Sequence, residues 1–162
     1  MKLYLAIPMC LFFLLTGYRP ELHSAEGEPV FQLAHKKAPD VNWDRTSLLK
    51  GDFNPHDKTD YALMGLEGKN RVFVAVVYSP VAPSAQVDIL EFGVGQDQGS
   101  LCRLPAHLKL ESLDYDPSDD VGKIPGFRRS RESMGLNLAG GDCDSFHLFW
   151  NYQSHRIEWW RL

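Results

Sequence analysis

Oxygen-bearing side chains recur at short intervals between residues 52 and 60, a stretch that we term the aspartate loop. Its carboxylate and amide oxygens come from Asp52, Asn54, Asp57 and Asp60. Calcium takes about six to eight oxygen ligands of this kind, so the pattern predicts a calcium site. The same side chains can instead bond to neighbouring backbone groups in Asx turns, which explains the pattern without an ion.

The aspartate loop resembles the calcium loop of FG-GAP-type repeats, in which alternate oxygen-bearing residues surround an ion before an apolar strand. The ligand positions that match are Asp52, Asn54 and Asp60. His56 stands where the family has a carboxylate, and Asp57 stands where it has a turn glycine. The resemblance covers residues 52–62 and implies a degenerate calcium loop rather than a propeller, since one blade cannot cover its own faces.

Aromatic side chains crowd the C-terminal end of the chain, where a final strand pair is predicted. The candidate binding surface on this hairpin consists of Phe149, Trp150, Tyr152, Trp159 and Trp160. If the domain covers only one face, the other presents an aromatic strip of the kind used to bind proteins or carbohydrates. The alternative is that both faces are buried, one by the sheet and one by residues 26–42.

Histidines offer little support for catalysis. His56 and His147 are the two that lie near carboxylates in the sequence, and strand alternation would send Ser145 and His147 to the same side. Ser145 has no glycine-flanked turn of the sort that exposes a serine nucleophile. The sequence therefore predicts a protein that is not an enzyme and needs no cofactor other than calcium, with a small hydrolase using His147 or His56 as the remaining alternative.

The first residues have the order of an export signal. Lys2 precedes an apolar run over residues 3–15, and a polar stretch follows. The run is too short to cross a bilayer comfortably, since a spanning helix needs about 20 residues. We therefore predict a signal peptide over residues 1–25, cleaved after Ala25 or earlier after Gly17, and a periplasmic or secreted protein without stable membrane insertion.

Cleavage of that signal would change the cysteine count. Cys10 leaves with the signal peptide, and Cys102 and Cys143 remain. Two cysteines in an exported chain predict one disulfide.

The charge of the mature chain excludes one class of partner. Residues 26–162 carry 15 basic and 20 acidic side chains, a net charge of −5, and the basic cluster is confined to Arg128, Arg129 and Arg131. Binding to a phosphate backbone requires a broad positive face. Nucleic acid is therefore not an expected partner, whereas another protein is.

Hydrophobic patterning predicts mainly β structure. We expect residues 26–42 to form an extended N-terminal arm and residues 43–162 to form one domain. The predicted strands span residues 61–66, 71–78, 87–92, 107–113, 134–138, 145–150 and 156–162. Short connections make them antiparallel, and residues 72–77, which lack a polar face, form a central strand covered on both sides. The expected fold is a single antiparallel sheet or a small sandwich of six to seven strands, held by one disulfide.

These features predict an exported, protein-binding module, such as an inhibitor or immunity-type protein that blocks an envelope-directed enzyme. A calcium-dependent surface or adhesion module, with the aspartate loop as its ion site, is the competing class.

Overall fold

The computed structural model describes residues 27–162. The predicted signal peptide lies outside these residues. The strands are β1 (Asn42–Trp43), β2 (Leu49–Gly51), β3 (Asp60–Glu67), β4 (Arg71–Val77), β5 (Val87–Val94), β6 (Ser100–Leu101), β7 (Ala106–Ser112), β8 (Met134–Gly140), β9 (Phe146–Asn151) and β10 (Arg156–Trp160). The α-helices are α1 (Gly27–Lys37) and α2 (Ser118–Val121), and a 3-10 turn covers Arg45–Ser47.

Two sheets stack face to face, which confirms the mainly β prediction. Sheet A has the order β1-β3-β4-β5-β6, with β2 also paired to β3, and its pairs are antiparallel except that of β5 with β6. Sheet B is antiparallel with the order β10-β9-β8-β7. The ring centroids of Phe92 in sheet A and Phe146 in sheet B lie 4.7 Å apart, so the two inner faces share one core.

The seven longer strands coincide with the predicted ones, and β3–β4 and β9–β10 are the two predicted hairpins. The strands that the pattern does not predict, β1, β2 and β6, are two or three residues long. Runs of that length are too short to show an alternation of apolar and polar residues.

Strand β4 is the predicted central strand. Val72, Val74 and Val76 face sheet B, while Ala75 and Val77 face helix α1 on the other side. Because successive side chains of a strand point to opposite faces, a strand packed on both sides must be apolar throughout.

Helix α1 replaces the extended arm that the sequence analysis predicts for residues 26–42, and that prediction is wrong for Gly27–Lys37. Val30, Phe31 and Ala34 are spaced to lie on one helical face, and they pack against sheet A. Pro29 falls in the first turn, where its missing N–H has no helical partner to lose. Basic residues in the last turn favour the helix through its dipole.

The disulfide joins the two loops that flank the β7–β8 pair. Cys102 and Cys143 have Cα atoms 5.8 Å apart and are 41 residues apart in sequence. A bond that closes a loop of this length removes about 4 kcal/mol of conformational freedom from the unfolded chain in the entropy model.

Of the residues described, none belongs to a helix long and apolar enough to cross a bilayer.

Candidate functional site

The aspartate loop is held by the buried carboxylate of Asp60, the first residue of β3. Its Oδ2 accepts hydrogen bonds from the backbone N–H groups of Phe53, at 3.1 Å, and Asn54, at 3.3 Å. Its Oδ1 accepts a third bond from the N–H of Ser79 at 2.8 Å, and the Ser79 hydroxyl donates to the carbonyl of Thr59. One side chain therefore joins the loop before β3 to the turn after β4.

Burial dominates the electrostatics of this loop. It raises the pKa of Asp60, because the three N–H donors only partly replace the lost water, and the charge of Asp52 adds to the effect. The pKa of Asp52 is also raised, first by burial and then by repulsion from Asp57, while the backbone N–H groups of His56 and Asp57 oppose the shift.

The four predicted calcium ligands differ in burial and in hydrogen bonding. Both oxygens of Asp60 are engaged with N–H groups, and Asp57 is exposed with a left-handed φ of 53° where the resembling family has glycine. Asp52 Oδ1 and Asn54 Oδ1 are buried without a hydrogen-bond partner. Across residues 27–162 no three histidine, cysteine, aspartate or glutamate side chains are grouped to hold a metal ion.

The aromatic hairpin does not present one exposed strip. Phe149 and Trp150 are buried, Tyr152 and Trp160 are half-buried, and Trp159 is 42% exposed. Trp150 points into the core between the sheets, and Trp159 packs against Phe146 at its margin. The expectation of an aromatic surface strip is therefore wrong for Phe149 and Trp150, which lie on opposite faces of β9.

The outer face of the hairpin is covered by residues 114–133, which we term the covering segment. Phe127 packs against Phe149 with ring centroids 5.3 Å apart, and Tyr115 lies over Trp160 at 6.3 Å. The N-terminal residues, which the sequence analysis proposes as the cover, instead form α1 on the far side of sheet A. The outer face is thus largely covered, but by a different segment from the one that the sequence predicts.

The Asn151 side chain fastens the covering segment to the hairpin turn. Its Nδ2 donates to the carbonyl of Pro125 at 3.1 Å, and its Oδ1 accepts from the N–H groups of Gln153 and Ser154. The N–H of Tyr152 donates to the carbonyl of Gly126 at 3.0 Å.

His147 belongs to a polar cluster beneath the covering segment. Its Nδ1 lies 2.7 Å from Glu111 Oε1, and its ring stacks on Trp160 with centroids 4.1 Å apart. The hydroxyl of Ser145 accepts a bond from Asn137 Nδ2 at 2.7 Å. Ser145 and His147 are therefore each engaged with a different partner, an arrangement that links strands of sheet B.

A groove at one end of the sandwich brings together residues from both predicted sites. It measures about 340 Å³ and runs between the aspartate loop and residues 79–86, so we term it the loop groove. It is lined by Asn54, His56, Lys58, Tyr78, Ser79, Pro80, Ala82, Ser84, Ala85, Gln86 and Trp150. Asn54 comes from the predicted ion loop and Trp150 from the predicted aromatic surface.

Buried contacts hold two of the aromatic residues that line the groove. Tyr78 and Trp150 meet edge to face with ring centroids 5.4 Å apart. The Tyr78 hydroxyl donates to Asp88 Oδ2 at 2.8 Å, and the same oxygen accepts from the N–H of Ile157 at 3.0 Å. Burial and the Asp88 charge raise the pKa of Tyr78, so it remains a neutral hydrogen-bond donor.

Residues 79–86 are absent from the sites that the sequence analysis predicts. The sequence does contain a signal for their position, because β3 and β4 form a hairpin and the loop before β3 must lie beside the connection after β4.

No protein-family model, curated protein or solved structure matches this chain.

Replacement of Asp60 tests the role of its carboxylate. Because folding raises this pKa, the contribution of Asp60 to stability is greatest at low pH and falls as the pH rises through the folded-state pKa. Asp60→Asn turns an N–H donor toward other N–H groups, so we expect a loss of about 1–3 kcal/mol in the free energy of unfolding. The pH dependence of stability should also become flatter.

Urea unfolding from about pH 3, below the unfolded-state pKa of 3.8, up to about pH 8 measures both effects, with Asp40→Asn as the exposed control. Equal stability and equal pH dependence in wild type and Asp60→Asn would contradict this role.

Two glycines of the covering segment form a matched pair for a packing test. Gly122 and Gly126 have φ of +75° and +76°, but an added Cβ at Gly122 meets open space, whereas one at Gly126 overlaps the side chain of Asn151. Gly122 has a ψ of −173°, which puts it in a backbone region that essentially only glycine adopts, so Gly122→Ala should cost about 1–3 kcal/mol through backbone strain alone. Gly126→Ala should cost at least about 1–2 kcal/mol more, because Asn151 loses hydrogen bonds. Equal losses in chemical denaturation would show that the segment is not fastened at Asn151.

Proposed function

We propose that this chain is a small exported protein-binding module, of the inhibitor or immunity type, whose interface includes the loop groove. The observation that carries the proposal is the convergence of Asn54 and Trp150, from two separate predicted sites, on one concave surface. Its volume of about 340 Å³ lies at the lower end of the usual range of about 300–1,000 Å³ for ligand sites.

The walls of the groove are held in place before any partner binds. Asp60 fixes the aspartate loop to Ser79, and Asp88 fixes Tyr78 to the hairpin. A binding surface whose loops are already ordered loses less conformational entropy on association than a mobile one does. This arrangement suits a protein that acts by tight binding.

Export is supported by the order of charged, apolar and polar residues at the N-terminus and by the disulfide. A Cys102–Cys143 bond is typical of a protein that works in an oxidising compartment. The net charge of −5 on residues 26–162 favours a protein partner over nucleic acid.

A bulky residue placed in the groove tests whether it is an interface. Mature, oxidised protein is used to capture partners from the native extracellular or periplasmic extract, and the captured protein is then purified. Its affinity is measured by calorimetry for wild type, Gln86→Trp and Gln98→Trp. Gln86 is exposed in the groove, and Gln98 is exposed in the loop that precedes β6.

We expect Gln86→Trp to weaken binding more than tenfold and Gln98→Trp to leave it unchanged. Equal binding by the three proteins would exclude the groove as the interface. Failure to retain any protein would contradict the binding role itself.

A calcium-dependent module is the second candidate, because Asp52 Oδ1 and Asn54 Oδ1 are buried oxygens without hydrogen-bond partners. A bound cation would supply the missing contacts. In a thermal melt, calcium at about 100 times its Kd would stabilise the fold by about 2.7 kcal/mol, and Asp52→Asn should reduce the increase in Tm. Identical melting in calcium and in chelator would remove this candidate.

A further inference from the structure

The ionisable side chains that line the loop groove are unlike those of the chain as a whole. They are His56, Lys58 and the neutral Tyr78, and no carboxylate is among the lining residues. The full chain has 21 acidic and 17 basic residues, so the lining of the groove differs from the average composition of the chain.

Two buried carboxylates near the groove, those of Asp60 and Asp88, are engaged by other partners. Asp60 is buried behind the aspartate loop and accepts three backbone N–H bonds. Asp88 accepts from Tyr78 and Ile157, and Arg156 lies 3.8 Å from its second oxygen. Neither acid is positioned to pair with a cation in the groove.

Lys58 is the principal charge that a ligand would meet. The acidic residues Asp52 and Asp57 lie on the same loop, but neither is among the residues that line the groove. Within residues 27–162, Lys58 forms no ion pair and no hydrogen bond through its side chain. Lys58 is exposed and lines the groove.

The opposite wall combines apolar and polar residues. Its apolar part consists of Pro80, Ala82 and Ala85, and the buried Trp150 also lines the groove. A matching ligand would place a carboxylate at Lys58 and a neighbouring apolar side chain against these residues. Charge complementarity of this kind selects partners more strongly than it adds affinity.

We propose that the loop groove binds an acidic peptide segment of the partner, in which carboxylate side chains alternate with apolar ones. This inference rests on the proposed binding function and specifies the chemistry of its partner. Alternation matches the groove because neighbouring side chains of an extended peptide point to opposite sides.

The probes are two blocked peptides of equal length, acetyl-Glu-Leu-Glu-Leu-amide and acetyl-Lys-Leu-Lys-Leu-amide. Each is titrated into uniformly ¹⁵N-labelled mature protein with its disulfide formed, at low ionic strength. The glutamyl peptide should shift the amide resonances of His56, Lys58, Ser79 and Gln86 in a saturable way. The lysyl peptide should bind at least fivefold more weakly, and added salt should reduce the difference.

Lys58→Glu is the test variant, and Lys69→Glu is its matched control. Lys69 is an exposed residue of the β3–β4 turn, about one strand length of roughly 20 Å from the groove. Lys58→Glu should weaken binding of the glutamyl peptide at least fivefold, whereas Lys69→Glu should not.

Several results would overturn the inference. Equal binding of the two peptides, or equal effects of the two variants, would show that the groove does not select acidic ligands. No saturable shift in groove resonances would have the same consequence. If Gln86→Trp still blocks the natural partner while Lys58→Glu does not, the groove remains the interface and only its preference for acidic ligands fails.

Discussion

The carboxylate of Asp60 is the constraint on which the shape of the candidate site depends. Three backbone N–H groups from two separate segments converge on this one side chain, in a position from which water is excluded. A buried N–H group without an acceptor and a buried carboxylate without donors are both costly in free energy. The backbone N–H groups of the two segments and the carboxylate of Asp60 therefore stabilise each other. The loop groove exists because both walls are fixed to the first residue of β3.

Aromatic residues of the C-terminal hairpin mainly build the core rather than an exposed surface. Trp150 packs between the sheets, and Phe149 lies under the covering segment. Sheet B is thereby covered on one side by sheet A and on the other by residues 114–133, while α1 covers the outer side of sheet A. With most flat faces occupied, a concave surface formed by loops at the end of the strands becomes the favoured place for a ligand.

The positions of the longer strands follow from the sequence because their side-chain patterns are local. Val72, Val74 and Val76 indicate a strand packed on both sides, and the polar connection over residues 67–70 indicates a hairpin. The disulfide follows from the cysteine count combined with the export signal. Each of these inferences needs only the residue types and their spacing.

Other features depend on contacts between distant residues and could not be read in this way. Helix α1 has its apolar residues at helical spacing, but two prolines in residues 26–42 obscure it. The β3–β4 hairpin places Ser79 beside Asp60, but nothing in the sequence indicates that the Asp60 side chain turns inward to accept its N–H, and nothing near Tyr115 indicates that it lies on Trp160. The spacing of oxygen-bearing residues in the aspartate loop is compatible both with an ion site and with hydrogen bonds to the backbone. For Asp60, burial and three backbone N–H donors identify the second role.

Amide hydrogen exchange of the mature, oxidised protein tests the central claim most directly. If Asp60 holds both walls of the groove, the N–H groups of Phe53, Asn54 and Ser79 should exchange nearly as slowly as those of Val74 and Val76 in β4, because opening them requires a large part of the fold to open. Exchange of those three N–H groups as fast as that of the exposed turn at Gly68 would contradict the account.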